Sequence, residues 1–197
     1  MITQAEKILV SQEAIQQRVA ALAAEITKDY EGKELTILAL MKGSVVFLAD
    51  LLRLIPIPLR LEVLPVSSYH GGLETSGVVS FATHFLPDIV GHHVLLIDDI
   101  LDSGTTLKAI TTCILEQKPA SLRSCVLLHK KVKTLPGITA EYIGFEIPDA
   151  FVVGYGLDYQ EYYRNLPEIR VLSAETIAMR AAQSHVPVQE NGQGHRL

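Results

Sequence analysis

The chain has 197 residues, 48% hydrophobic and 20% charged, and a net charge of −5, which excludes a disordered composition and argues against a broad nucleic-acid-binding face. The length suits one domain with a core that needs neither disulfides nor a structural metal. The only two cysteines, Cys113 and Cys125, form no CxxC pair and read as small buried side chains.

The N-terminus lacks the basic-then-apolar order of a secretion signal, and no apolar run has membrane-spanning length. A reduced, cytoplasmic protein without a membrane partner is expected. Ser11 can cap a first helix whose apolar stripe is Ile15, Val19, Leu22 and Ile26, with Gly32 as its stop. The run Leu35 to Met41 reads as a strand. It is followed by Lys42 and Gly43, and then by Ser44 as the cap of a helix carrying Phe47, Leu48, Leu51 and Leu52. Leu59 to Val66 is a second strand, and Ser67 to Gly77 a loop rich in Ser, Gly and Thr.

Val94 to Ile97 is wholly apolar, as in the middle of a parallel sheet, and His92-His93 before it reads as a turn. Leu107, Ile110, Ile114 and Leu115 stripe the next helix. Cys125 to Leu128, Tyr142 to Phe145 and Ala150 to Val153 read as further strands, and 185–197 as a fraying polar tail. This alternation predicts an α/β fold: a mostly parallel sheet flanked by helices, in a single domain spanning 1–197.

The segment after Ile97 carries the chemistry. Asp98 and Asp99 end the apolar strand, Asp102 follows, and Ser103-Gly104-Thr105-Thr106 leads into a helix. Ligands of open α/β sheets sit at the carboxyl ends of strands. Gly104 lets backbone approach a ligand closely. The hydroxyls and N–H groups of Ser103, Thr105 and Thr106, at the positive end of a helix dipole, suit a phosphate. Carboxylates repel phosphate, so Asp98 and Asp99 should face ribose hydroxyls or hydrated magnesium, with Asp102 near a base at the anomeric carbon. The turn is not a Walker loop, since GxxxxGK[ST] is absent. Lys42, between a strand end and a helix start, suits an anion. On sequence alone Phe151 fits core packing, Asp158 a turn, and Arg164 an ion pair with Glu161 or Glu168.

This acidic strand and hydroxyl turn resemble the phosphoribosyl pyrophosphate motif of type I phosphoribosyltransferases. Met41-Lys42-Gly43-Ser44, Ser68-Tyr69, Leu127-Leu128-His129-Lys130 and the long block Gly144 to Tyr159, continuing through Tyr163-Arg164-Asn165-Leu166-Pro167, are similar to the hypoxanthine-guanine branch. The likeness is collinear over about 35–172. It implies a hood built from the C-terminal segment and chain ends. It further implies purine salvage: transfer of the 5-phosphoribosyl group from phosphoribosyl pyrophosphate to a 6-oxopurine, hypoxanthine or guanine, giving IMP or GMP and pyrophosphate, in a homodimer or homotetramer.

The resemblance also implies residue roles. Asp102 takes the purine N7 proton, and Lys130 binds the 6-oxo group. Asp98 and Asp99 hold the ribose hydroxyls and magnesium, and Ser103 to Thr106 hold the 5′-phosphate. Phe151 stacks on the base and the Val152 backbone bonds its edge. Asp158, beside the purine, binds a second magnesium that bridges pyrophosphate. Lys42, Gly43 and Arg164 hold that pyrophosphate, with the Met41–Lys42 peptide cis, and Ser68 and Tyr69 belong to a lid. The chain departs from the family pattern in having Asp98 where Glu is usual, His70-Gly71-Gly72 after the Ser-Tyr pair, and Lys131 where Pro usually follows Lys130.

Two other readings compete. A non-enzymatic regulator that senses phosphoribosyl pyrophosphate on the same fold predicts a basic face and no purine pocket. A phospho-acceptor receiver predicts its acid pair near the chain start, whereas here the pair follows half the chain.

Overall fold

A computed structural model describes residues 7–65, 86–132 and 135–183. Five parallel strands form the main sheet, in the order β3-β2-β4-β5-β6. They are β2 (Leu35–Leu40), β3 (Leu59–Leu64), β4 (His93–Leu101), β5 (Ser121–Lys130) and β6 (Tyr142–Ile147). Alternation along the central strands fills both faces. Ile37, Ala39, Leu95, Ile97 and Leu127 point into one core, and Leu38, Leu40, Val94, Leu96 and Val126 into the other. Burial on both sides is why these strands read as continuous apolar runs.

Helix α1 (Gln12–Asp29) and helix α2 (Val45–Leu52) pack on the first face, and α3 (Thr105–Glu116) covers the second. Ser11 caps α1 as expected: its Oγ accepts the Ala14 N–H at 3.2 Å, and Ile15, Val19, Leu22 and Ile26 are buried. Cys113 and Cys125 are both buried.

Several expectations need correction. Ser44 does not cap α2 through its side chain; its hydroxyl turns back and donates to the Leu40 carbonyl at 2.5 Å, tying the helix start to the end of β2. Leu115 is 58% exposed, and Cys113 takes its place in the buried stripe of α3. His93 is the first residue of β4 rather than part of a turn, and β4 continues past Ile97 to Leu101. The acid pair therefore lies within the ladder, with Asp98 opposite Val126 of β5.

A second sheet of three antiparallel strands, ordered β1-β8-β7, is built from β1 (Ile8–Val10), β7 (Val152–Val153) and β8 (Ile169–Val171). It joins the N-terminal segment to the C-terminal one, as the expected hood does. Helix α4 (Ala174–Gln183) follows it. The strand expected over Ala150 to Val153 is limited to two residues.

Candidate active site

One cleft opens at the carboxyl ends of β2 and β4. It is lined by residues 40–43 from the first and 98–107 from the second. Adjacent parallel strands deliver these two segments side by side, with Ala39 opposite Ile97. The Met41–Lys42 peptide is cis, as the resemblance implied.

Asp98 and Asp99 sit together at the floor. The Asp99 N–H donates to Asp98 Oδ1 at 2.9 Å. Burial, and then the charge of Asp99, push the Asp98 carboxyl well above the ordinary carboxylate range. Burial also raises Asp99, opposed by a hydrogen bond with Asp98 and by the more distant charge of Arg164. Gly43 leaves room for this pair, since a Cβ built there would fall 1.6 Å from Asp99 Oδ2.

Beyond Asp102 the chain turns through Gly104, left-handed at φ 84°, into α3. Ser103 Oγ lies 3.1 Å from Thr105 Oγ1 and accepts the Thr105 N–H at 3.4 Å, and the helical ladder of α3 begins only with the Lys108 N–H, which donates to the Gly104 carbonyl at 2.9 Å. Hydroxyls and amides of this turn thus line the cleft, an arrangement that suits an anion. The Ser103 carbonyl accepts the Leu135 N–H at 2.9 Å, which brings the chain after β5 over the turn.

Lys130, the last residue of β5, places its Nζ 2.8 Å from Asp102 Oδ2 and 3.6 Å from Asp149 Oδ1. Its side chain is only 13% exposed, whereas Lys131 points outward to Glu146 at 3.0 Å. Of the two adjacent lysines, Lys130 is therefore the one presented to Asp102. Asp149, on the loop before β7, is a neighbour that the sequence reading missed; only its place in the long matching block could have pointed to it.

The remaining predicted residues stand in the hood. The Phe151 ring meets Tyr159 edge to face, 5.4 Å between centroids at 89°. Val152 has its side chain in the core, leaving its backbone as the part that can meet a ligand. Arg164 pairs with Asp158 at 2.8 Å and with Glu161 at 3.1 Å, and donates to the Gly156 carbonyl at 2.8 Å. Glu168, the other partner the sequence allowed, pairs with Arg170 instead. Lys42 joins this group through Glu161, at 3.1 Å. Gly156, at φ 101°, seats the hood against the cleft: a Cβ there would lie 2.2 Å from the Gly43 carbonyl oxygen. Ser68 and Tyr69 lie outside the described residues.

Among the described residues no cluster of three His, Cys, Asp or Glu side chains could hold a metal alone. Magnesium needs no such cage, because it keeps waters and takes the rest of its shell from a bound phosphate. Two recessed carboxylates with raised pKa, side by side beside an anion cradle, fit a divalent ion that arrives with its ligand. Asp158 is committed to Arg164 and to the Glu161 N–H, so it would have to exchange a partner for an ion.

The family model of the phosphoribosyl transferase domain matches residues 6–160. A hypoxanthine-guanine phosphoribosyltransferase of Staphylococcus aureus is 45% identical over 170 residues, covering 86% of this chain and 95% of the relative. A crystal structure of a hypoxanthine phosphoribosyltransferase from the same species superposes with a TM-score of 0.76 at 42% identity, over 86% of this chain and 92% of the other. The structure of Trypanosoma cruzi hypoxanthine phosphoribosyl transferase, solved to study its C-terminal region, gives a TM-score of 0.81 at 37% identity, over 92% and 98% of the two chains.

Proposed function

This chain belongs to the phosphoribosyl transferase family, in its hypoxanthine-guanine branch, and from that membership we propose how its residues share the reaction. It is a purine-salvage enzyme that moves the 5-phosphoribosyl group of phosphoribosyl pyrophosphate onto hypoxanthine or guanine, releasing pyrophosphate. The non-enzymatic alternative finds no support among its relatives.

The observation that carries the division of roles is the Lys130–Asp102 pair, 2.8 Å apart on the lip of the hydroxyl turn. A base acceptor and a cation held together match the adjacent N7–H and 6-oxo groups of one purine. Asp102 accepts the N7 proton as the glycosidic bond forms at C1′. Lys130 donates to the 6-oxo oxygen, which favours 6-oxopurines over 6-aminopurines. Phe151 stacks on the base, the backbone of Val152 bonds its edge, and Asp158 flanks it. Ser103, Gly104, Thr105 and Thr106 hold the 5′-phosphate, and Asp98 and Asp99 hold the ribose hydroxyls. Lys42, Gly43 and Arg164 bind the leaving pyrophosphate, and Ser68 and Tyr69 close over the site to exclude water.

Asp98, Asp99 and Asp158 are the residues that would hold magnesium, which when bound supplies positive charge to the pyrophosphate oxygens. We assign the whole of 1–197 to one domain that acts in the cytoplasm as a homodimer or homotetramer. No helix of the described residues is long and apolar enough to cross a membrane.

Asp102→Asn tests the base role. General-base help is typically worth about 10²–10⁴-fold, so kcat should fall by that factor while KM for phosphoribosyl pyrophosphate changes by less than about threefold. Near-normal turnover in steady-state assays would remove Asp102 from the role.

A further inference from the structure

The turn at 159–162 holds a residue to which the reaction gives no task. Tyr159 and Tyr162 exchange both backbone hydrogen bonds, at 3.1 and 3.0 Å, so Gln160 and Glu161 are the two central residues of a tight turn. Both have positive φ, 51° and 67°, and Tyr163 follows at 77°. Positive φ at both centres marks the mirror-image I′ turn, where Asn-Gly is the favoured pair. A Gln-Glu pair works against the local backbone preference, and such strain concentrates where a site depends on it. The Glu161 N–H is held by Asp158 Oδ2 at 2.8 Å.

This arrangement places the Glu161 carboxylate between two cations. Oε1 lies 3.1 Å from Lys42 Nζ, and Oε2 lies 3.1 Å from Arg164 Nη2. One carboxylate thus spans two cations that come from distant parts of the chain. Both cations are assigned above to pyrophosphate. The Glu161 side chain is 64% exposed, and solvent-exposed pairs add little to a fold. The bridge is therefore easily opened, and stability gives no reason to strain a turn for it.

We propose that Glu161 is a built-in stand-in for the leaving group. This rests on the pyrophosphate assignment of Lys42 and Arg164. While the site lacks pyrophosphate, the carboxylate neutralises both cations and keeps them facing one another. An incoming diphosphate displaces it, and its return helps expel the product. Glu161 is a positioning residue that sets how tightly the leaving group is held, and it takes no part in proton transfer.

Glu161→Gln keeps the size of the side chain and removes its charge. Titration calorimetry with inorganic pyrophosphate and magnesium should show binding about threefold to tenfold tighter than wild type. KM for phosphoribosyl pyrophosphate should fall in parallel, and KM for hypoxanthine should stay fixed. Glu62→Gln removes the same charge from a remote exposed pair with Arg60 and should leave pyrophosphate binding unchanged. Glu161→Gly also removes the carboxylate while relaxing the turn, so it should tighten binding without risk to the fold. Pyrophosphate affinity equal to or below wild type in both Glu161 variants, with nucleotide still formed, overturns the proposal. If wild type and Lys42→Ala bind pyrophosphate equally, the underlying assignment has failed and the stand-in role falls with it.

Discussion

At the scale of single residues, the site depends on what Gly43 lacks. Lys42, between a strand end and a Gly-Ser helix start, reads in the sequence as suited to an anion. The structure places a demand on Gly43, because the position a Cβ would occupy lies against Asp99. Gly43→Ala must therefore push that carboxylate out of place. The expected result is a rise of more than about tenfold in KM for phosphoribosyl pyrophosphate, since misplacement of about 1 Å can cost 10²-fold. The melting temperature should hold within a few degrees, and steady-state kinetics beside a thermal scan separate the two effects. The sequence could not reveal this, because nothing in the local pattern says that residue 43 and residue 99 meet. Asp102 and Lys130 were legible as individuals, but their 2.8 Å pairing was not.

At the scale of elements, apolar runs located the middles of strands and missed their ends. The reading stops the fourth strand at Ile97 because carboxylates follow. The chain continues it to Leu101, since Asp98 and Ile100 still find ladder partners in Val126 and Leu128. A period-2 argument counts side chains, while a ladder counts backbone groups, and here the two part. The small sheet shows the same limit. Strand β8 has three residues, too few for periodicity, yet it lies between β1 and β7. Ile169 in β8 is fully buried, so Ile169→Ala should cost about 2–5 kcal/mol in urea unfolding. Because β7 directly follows Phe151, that variant should also raise KM for the purine more than KM for phosphoribosyl pyrophosphate.

For the whole molecule, the two rims of the main sheet have different work. The cleft opens at the carboxyl ends of the strands, and the opposite rim is tied down by a network joining α1 to β5 and β6. The Tyr142 hydroxyl donates to Asp29 at 2.7 Å, and Arg123 reaches both, at 2.5 and 2.8 Å. Burial, and then the hydrogen bond to Asp29, push the Tyr142 phenol up to about 12 from 10.0. Its contribution to stability is thus present below pH 10 and lost as pH rises toward about 12, because the unfolded phenol ionises first. Tyr142→Phe should cost about 0.5–1.5 kcal/mol at neutral pH, or roughly 1–6 °C in Tm. The gap from wild type should close between pH 10 and about 12 in thermal scans at stepped pH. The α/β class and the alternation of elements were legible because both faces of the sheet are buried. This network was not, since Asp29, Arg123 and Tyr142 lie far apart in the chain and no local pattern says that they meet.

Main chain rests on main chain where Gly156 meets the carbonyl of Gly43. A gap between two elements is usually tuned by trading one side chain for a longer or shorter one, and here there is none to trade. The clearance at this point of contact is therefore set by main-chain dimensions common to every protein. Sequence drift can alter which groups look into the cleft far more readily than it can alter the clearance across it.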